Sequence, residues 1–308
     1  MATTTSITTT YAGEFAGKYI SAALLSADTI EGGGITIKPN VKYKEVIKTL
    51  STDAIVKDAT CDFSDTSTLT LAEKILQPEE FQVNLELCKK DFHNDWEAIS
   101  MGYSAFDELP SNFADYLIGH VAAKVAQKTE QTIWTGATAN AGEFNGFGAL
   151  LAADAAVVDV TGTSVTAANV ITEMGKVVDA IPTSVYGKDD LYIYVSSNVA
   201  RAYVRALGGF GASGLGANGV QNNGTTWFNG QDLAFDGVKL FVASGMANNT
   251  MVAAQKSNLF FGTGLLSDHN EVKLLDMSDL DGSMNVRVVM RYTAGVQIGI
   301  GADIVYYA

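Results

Sequence analysis

The chain has 308 residues, 47% of them apolar and 18% charged, with 20 basic side chains against 34 acidic ones for a net charge of −14. That apolar share supports a sizeable core, while the charged share falls well below the roughly 25% of ordinary soluble chains, so part of the surface is expected to be covered by something other than water. The acidic excess excludes a protein built on clustered phosphate contacts, though not one that lines a space holding DNA without gripping it.

Two cysteines, Cys61 and Cys88, are too few for a disulfide framework. The start, "MATTTSITTT", has neither the basic nor the apolar region of a signal peptide. No apolar run approaches the ~20 residues of a membrane span. An intracellular, soluble protein with no membrane partner is expected.

In chain order, the first thirty-odd residues read as an arm. Phe15, Tyr19 and Leu24 recur at near-helical spacing before Gly32, Gly33 and Gly34 break the pattern, as in a short amphipathic piece on a swivel that docks on a neighbour. Extended segments follow: "YKEVIKTL" from Tyr43, "DAIVKD" from Asp53, "LTLAEKIL" from Leu69 and "FQVNLELC" from Phe81. The last alternates cleanly, with Phe81, Val83, Leu85 and Leu87 on one face, and predicts a half-buried strand. Polar turn formers lie between the pairs, so the segment predicts a long β-hairpin with its tip near Cys61 to Ser67, Phe63 included. A lone hairpin is marginal in water and needs a partner surface.

Pro110 opens a sustained helical stripe through Phe113, Leu117, Val121, Val125 and Ile133, with Lys124, Lys128 and Glu130 expected on the far side and Gly136 as the stop. This spine is the longest regular element. A second helix is expected after Thr166, read as its N-cap, through Val170, Ile171, Met174, Val177, Val178 and Ile181 to Pro182. "DLYIYVSS" predicts a buried strand and "NVARAYVRAL" a short helix. The last third predicts strands over "VKLFVAS", "TMVAAQ", "NLFFGTG", "EVKLLDM", "MNVRVVMRY" and "GVQIGIGADIVYYA", with "DMSDLDG" (Asp276 to Gly282) as a hairpin turn.

The segment Gly208 to Gly219 holds a G-x-G-x-x-G match at Gly209, Gly211 and Gly214. A dinucleotide site needs a strand before that match and a helix after it, and here a helix precedes while nothing helical follows. The Asp279, Asp281 and Gly282 turn lacks the first aspartate and the terminal glutamate of a calcium loop. Three scattered histidines make no zinc set, and no nucleophile elbow exists. No catalytic group, metal or cofactor is expected. Between Ala206 and Gln255 the charged residues are Asp232, Asp236 and Lys239, with Trp227 and Phe228 in the middle. Such a charge-poor, glycine-jointed stretch, from Gly208 onward, fits packing against copies of the same chain.

An arm, a long hairpin, a spine helix, a central α/β lobe and a β return together resemble the layout of tailed-bacteriophage major capsid proteins, a shell fold shared with encapsulins and the herpesvirus capsid floor. The run from "DGVKLFVASGMANN" to "GADIVYY" is similar to the end of those subunits. The resemblance implies an α+β fold with an N-arm (1–34), an extended loop (35–88), a peripheral domain (89–151 and 256–291, spine about 110–135) and an axial domain (152–255 and 292–308). It implies a structural protein that is no enzyme, forming hexamers and pentamers of an icosahedral shell around phage double-stranded DNA, in a virion assembled in the bacterial cytoplasm. Portal and scaffolding proteins are the implied partners, with weak non-specific proximity to packaged DNA. An encapsulin-type compartment is the alternative. Some relatives crosslink lysine to asparagine, which draws attention to Lys57 and Lys74, though nothing marks a catalytic glutamate. The implied interface residues are Phe15, Tyr19, Leu24, Cys61, Phe63, Gly208, Gly209, Gly211, Gly214, Trp227, Phe228, Asp279, Asp281 and Gly282.

Overall fold

The computed structural model of the chain describes residues 28–52, 55–59, 61, 68–88, 90, 111–208, 233–264, 273–278 and 282–308. Its elements in order are α1 (Asp28–Glu31), β1 (Thr36–Lys38), β2 (Glu45–Thr52), β3 (Leu69–Leu76), β4 (Glu79–Cys88), α2 (Ser111–Thr135), α3 (Phe147–Ala153), β5 (Val158–Val160), α4 (Val170–Asp179), β6 (Leu191–Ser196), α5 (Ser197–Gly208), β7 (Ala234–Phe235), β8 (Val238–Ala243), β9 (Met251–Gln255), β10 (Leu259–Gly262), β11 (Lys273–Asp276), β12 (Asn285–Ile298) and β13 (Val305–Tyr307).

Two sheets carry two cores. The first sheet is organised on β12, a 14-residue strand along which β4, β10 and β11 all run antiparallel, with β1 added parallel to β10. The spine helix α2 and α3 supply Val121, Val125, Ile133, Trp134, Phe147 and Leu151 to the core against Val288, Met290 and Val296 of β12. The second sheet has six strands in the order β5-β13-β9-β6-β8-β7. There α4 lays Val170, Met174, Val177 and Val178 beside Val199 and Tyr203 of α5, over Ile193 and Val195 of β6. The first core reaches onto the second sheet through an aromatic chain. Trp134 of the spine lies 5.3 Å from Tyr194 of β6, and Tyr194 lies 5.5 Å from Phe241 of β8, ring centre to ring centre.

Several expectations need correcting. Glu130 is fully buried rather than on the outer side of the spine; it stands four residues after Ala126 and four before Trp134, on the stripe itself. Asn169 occupies the N-cap position, because Thr166 instead closes a preceding turn that accepts from the Asn169 and Val170 N–H groups. Ile171 is exposed and off the buried face. "DAIVKD" forms no strand at residues 55–58. "MNVRVVMRY" and the start of "GVQIGIG" are one continuous strand, held across Thr293 to Gly295 by unbroken pairing to β4 and then β10.

The three glycines after α1 are not a swivel. The backbone passes so close to Phe241 that a Cβ on Gly34 would stand 2.8 Å from its ring, and the Tyr194 hydroxyl donates to the Gly34 carbonyl. Glycine is the residue that allows this approach. Residues 28–38 thereby belong to this chain's own core, with Thr29 and Ile35 buried.

Candidate subunit-interface surfaces

The clearest unsatisfied surface is on the β2–β3 hairpin. Its antiparallel register sets Val46 opposite Ile75, Lys48 opposite Glu73, Leu50 opposite Leu71 and Thr52 opposite Leu69. Residues directly opposite one another share a face. One face of the hairpin is therefore Val46, Ile75, Leu50, Leu71 and Leu69 around a central Lys48–Glu73 pair, and those five apolar side chains are all exposed. Beyond β2, Ile55 and Val56 are exposed as well. Fully burying such a side chain is worth about 1.5–3 kcal/mol, so the face holds several kcal/mol of association energy unused by the single chain.

The base of the hairpin is fixed, which makes that face a presented surface rather than a loose end. Leu76 is fully buried against Gly262, where a Cβ would stand 2.9 Å from the leucine methyl. The Gln297 side-chain amide donates to the Ile75 carbonyl at 2.8 Å. Lys74 pairs with Asp154, just past α3, at 2.6 Å, and Lys38 pairs with Glu45 at 3.0 Å. The Lys74 hydrogen bond, helped by the Ala156 N–H, holds the Asp154 carboxyl below the usual carboxylate range.

The two strands expected to flank the Asp276 to Gly282 turn are paired at the far end of the first sheet. β11 and β12 pair antiparallel from Asp276–Val286 to Lys273–Val289. Asp276 accepts from the Ser278 N–H at 3.0 Å and its hydroxyl at 2.8 Å, and Gly282 adopts φ +72°. Asp279 and Asp281 lie outside the described residues.

Of the other expected interface positions, Cys61 is a free, exposed thiol, and Cys88 is a free, half-buried one at the end of β4. Gly208 is the last residue of α5. A helix rather than a strand therefore leads into the glycine-rich stretch, which is the wrong entry for a pyrophosphate cradle. Phe15, Tyr19, Leu24, Phe63, Gly209, Gly211, Gly214, Trp227 and Phe228 lie outside the described residues. Of the fourteen expected positions, Cys61, Gly208 and Gly282 lie among the described residues. The apolar face of the hairpin was missed as a set of residues, although reading "YKEVIKTL" and "LTLAEKIL" in hairpin register would have found it.

No protein-family model matches the sequence, and no curated protein resembles it closely enough to count as a match. Solved structures do resemble the fold. The capsid of Myoviridae phage XM1 aligns over 94% of this chain and 94% of its own, at 12% identity and a TM-score of 0.60. The capsid of a native GTA particle aligns over 94% and 93%, at 10% identity and a TM-score of 0.60. A Mycobacterium phage Ogopogo structure aligns over 94% and 94%, at 14% identity and a TM-score of 0.59.

The chain has the phage capsid fold.

That fold is mixed helix and sheet, as expected from the order of elements, and the match spans nearly the whole chain. Within it, the hairpin is a projecting appendage on a firm base, and α2 is the rod on which the first sheet and α1 are laid. At these identities the phage capsid fold is what the likeness establishes. Among the described residues no helix is long and apolar enough to cross a membrane, and no group of three metal-ligating side chains comes together.

Proposed function

We propose that this chain is a major capsid protein, a structural subunit that assembles into hexamers and pentamers of an icosahedral shell enclosing phage double-stranded DNA. The observation that carries the reading is the exposed apolar face of β2–β3 on its rigid base, within a fold matched end to end by phage capsid subunits. An isolated two-stranded hairpin is marginal in water, so a hairpin with one greasy face needs a second surface. Identical copies supply that surface in a closed, symmetric assembly.

In this reading residues 1–34 hold the N-arm, with 28–34 anchoring it to this chain's own core, and 35–88 hold the extended loop. Residues 89–151 and 256–291 form the peripheral domain, and 152–255 with 292–308 form the axial domain. Phe15, Tyr19, Leu24, Phe63, Trp227, Phe228, Asp279 and Asp281 join the hairpin in contacts between copies. Portal and scaffolding proteins are the further partners, and assembly takes place in the host cytoplasm. The net charge of −14 suits a wall that confines DNA without binding it, because like charge keeps the duplex off the surface. No chemistry is assigned to the chain, and an encapsulin-type compartment is the less favoured reading because the similar structures named above are phage and GTA-particle structures.

Negative-stain microscopy and sedimentation of the expressed full chain test the proposal. Closed particles or capsomer rings are expected on raising concentration or changing ionic strength. A monodisperse monomer under every condition would overturn it.

A further inference from the structure

Of the two large sheets, the longest open edge among the described residues belongs to β4. All 10 of its residues pair with β12, from Glu79–Ala294 to Cys88–Asn285, in one unbroken register. No described strand lies along its other side. The other edge strands, β1, β11, β5 and β7, are much shorter. A strand of this length runs roughly 33 Å. In an antiparallel ladder every second residue of an edge strand turns its N–H and C=O away from its partner, so Glu79–Leu85 presents a row of outward backbone groups. Such a row is a template for another strand, and folded proteins normally blunt it with prolines, lysines or bulges. β4 has none of these.

The side chains of β4 describe the strand that would fit. Glu79, Glu80 and Glu86 stand toward its ends and leave Phe81–Leu85 uncharged. Two β4 strands laid antiparallel would bring those carboxylates together, which is unfavourable, so the fitting strand is uncharged. The faces also differ: Phe81 and Val83 are half-buried and Leu85 is exposed on the apolar face, while Gln82 and Asn84 are exposed on the polar one. Residues 2–11, "ATTTSITTTY", match both demands. The first charged side chain of the chain is Glu14. Threonine, isoleucine and tyrosine favour strands. Alternation sets Ala2, Thr4, Ser6, Thr8 and Thr10 on one face, all small, and Ile7 and Tyr11 on the other. Of the longer stretches outside the described residues, 91–110 is rich in acidic side chains and 209–232 in glycine, which strands disfavour.

We propose that residues 2–11 of a second copy add to the outer edge of β4 as a further strand. Main-chain hydrogen bonds hold it, and the alternating faces set its register. Resting on the shell reading above, this seat gives the arm a defined place on its neighbour. Position favours a second copy. β3 passes into β4 through Gln77 and Pro78, so the open edge continues the hairpin whose apolar face a neighbour covers. Residues 12–27 separate the added strand from α1 and span at most about 55 Å, enough to reach from one subunit to the next. Ile7 and Tyr11 then lie on the side of Val83 and Leu85, and the small polar residues lie beside Gln82 and Asn84.

The test is amide hydrogen exchange on the full-length chain, dispersed and associated, with sedimentation recording the state and β9 as internal reference. In the dispersed chain alternate amides between Glu79 and Leu85 exchange fast, because only half of them face β12. On association the fast half should slow at least about tenfold while β9 holds steady. The double variant Ser6→Pro, Ile7→Pro should lose that gain, since one of two adjacent amides must face β4 and proline has none to offer. Association without slowing overturns this seat and leaves the shell reading standing. Slowing that survives in the double variant gives the edge to another segment, and slowing already present in the dispersed chain gives it to the chain's own residues; either overturns the proposal. A chain that never associates overturns both readings. If β9 shows the double variant unfolded, a peptide of residues 2–11 in large excess over the dispersed wild-type chain decides: the fast half slows, or the proposal falls.

Discussion

Two leucines five residues apart on one strand predict opposite behaviour. Leu71 is 70% exposed on the apolar face of the hairpin, whereas Leu76 is fully buried at its base. Each carbon withdrawn from water is worth about 0.8 kcal/mol. Truncating Leu71 to alanine therefore forgoes about 1.5 kcal/mol for each hairpin covered by a neighbour, scaled by the area still exposed in the free subunit. That is roughly tenfold in a pairwise association constant. The free subunit should lose less than about 0.5 kcal/mol, as for surface substitutions generally. Leu76→Ala should do the reverse, costing the free subunit about 2–5 kcal/mol by leaving a cavity beside Gly262. The assay pairs urea unfolding of dispersed subunits with light scattering to find the lowest concentration at which assembly begins. Leu71→Ala should raise that concentration about tenfold with an unchanged urea midpoint. Assembly at the wild-type concentration, or a free subunit destabilised as much as by Leu76→Ala, would refute the claim that this face is reserved for a neighbour.

Gly34→Ala should destabilise the subunit by about 1–3 kcal/mol, the usual cost of overpacking, since its Cβ would meet Phe241 at 2.8 Å; a urea midpoint equal to wild type would count against the pinned crossing. Tyr307→Phe removes a donor 2.7 Å from the nearly buried Glu173 carboxylate and an acceptor for the Thr163 N–H, and should cost about 1–3 kcal/mol in the same measurement. The Lys128 ammonium, then the Asn140 amide and the Ala137 N–H, hold Glu143 down to about 2. Its folded value lies below the unfolded one, so its contribution is complete above roughly pH 4.3 and fades as pH falls toward the folded value. Because Lys128 is nearly half exposed, Glu143→Gln should cost under about 1 kcal/mol at pH 7. The gap in thermal midpoint between the two proteins should narrow at pH 3, and a gap of constant size would contradict the assignment.

Local signals carried much of the fold. The spine helix ends where Gly136 follows a long apolar stripe, and α4 ends before Pro182, because period and stop residues act within a few positions. Pairing partners were less legible. "FQVNLELC" has the alternation of a half-buried strand, but nothing local reveals that it lies along β12, some two hundred residues away, rather than extending the hairpin. Thr293 to Gly295 looks like a break until two partner strands hold it straight. Glu130 was misplaced because a charged side chain was assigned to water, although its spacing from Ala126 and Trp134 put it on the buried stripe. The hairpin face was hidden for a related reason. Each of its strands alone is an ordinary alternating segment, and Leu50 and Leu71 become neighbours only once the register is known.

The Lys48–Glu73 pair at the centre of that face bears on how such a hairpin survives before it finds a partner. Both edges of a two-stranded sheet carry unpaired backbone groups, and a wholly apolar face between them would invite indiscriminate pairing. Opposite charges set directly across the strands favour this register over its neighbours, since a slip of one residue would turn the apolar set to the other face. The pair also interrupts what would otherwise be a continuous apolar strip from Val46 to Leu69. A neighbour that covers the strip must accommodate the two charges as well, with their hydrogen-bonding needs met, and a generic greasy surface cannot do that at low cost. The apolar residues supply the drive to associate, and the charged pair narrows the choice of surface. Specific contacts of modest individual strength, repeated by symmetry, are what a closed shell of identical subunits requires.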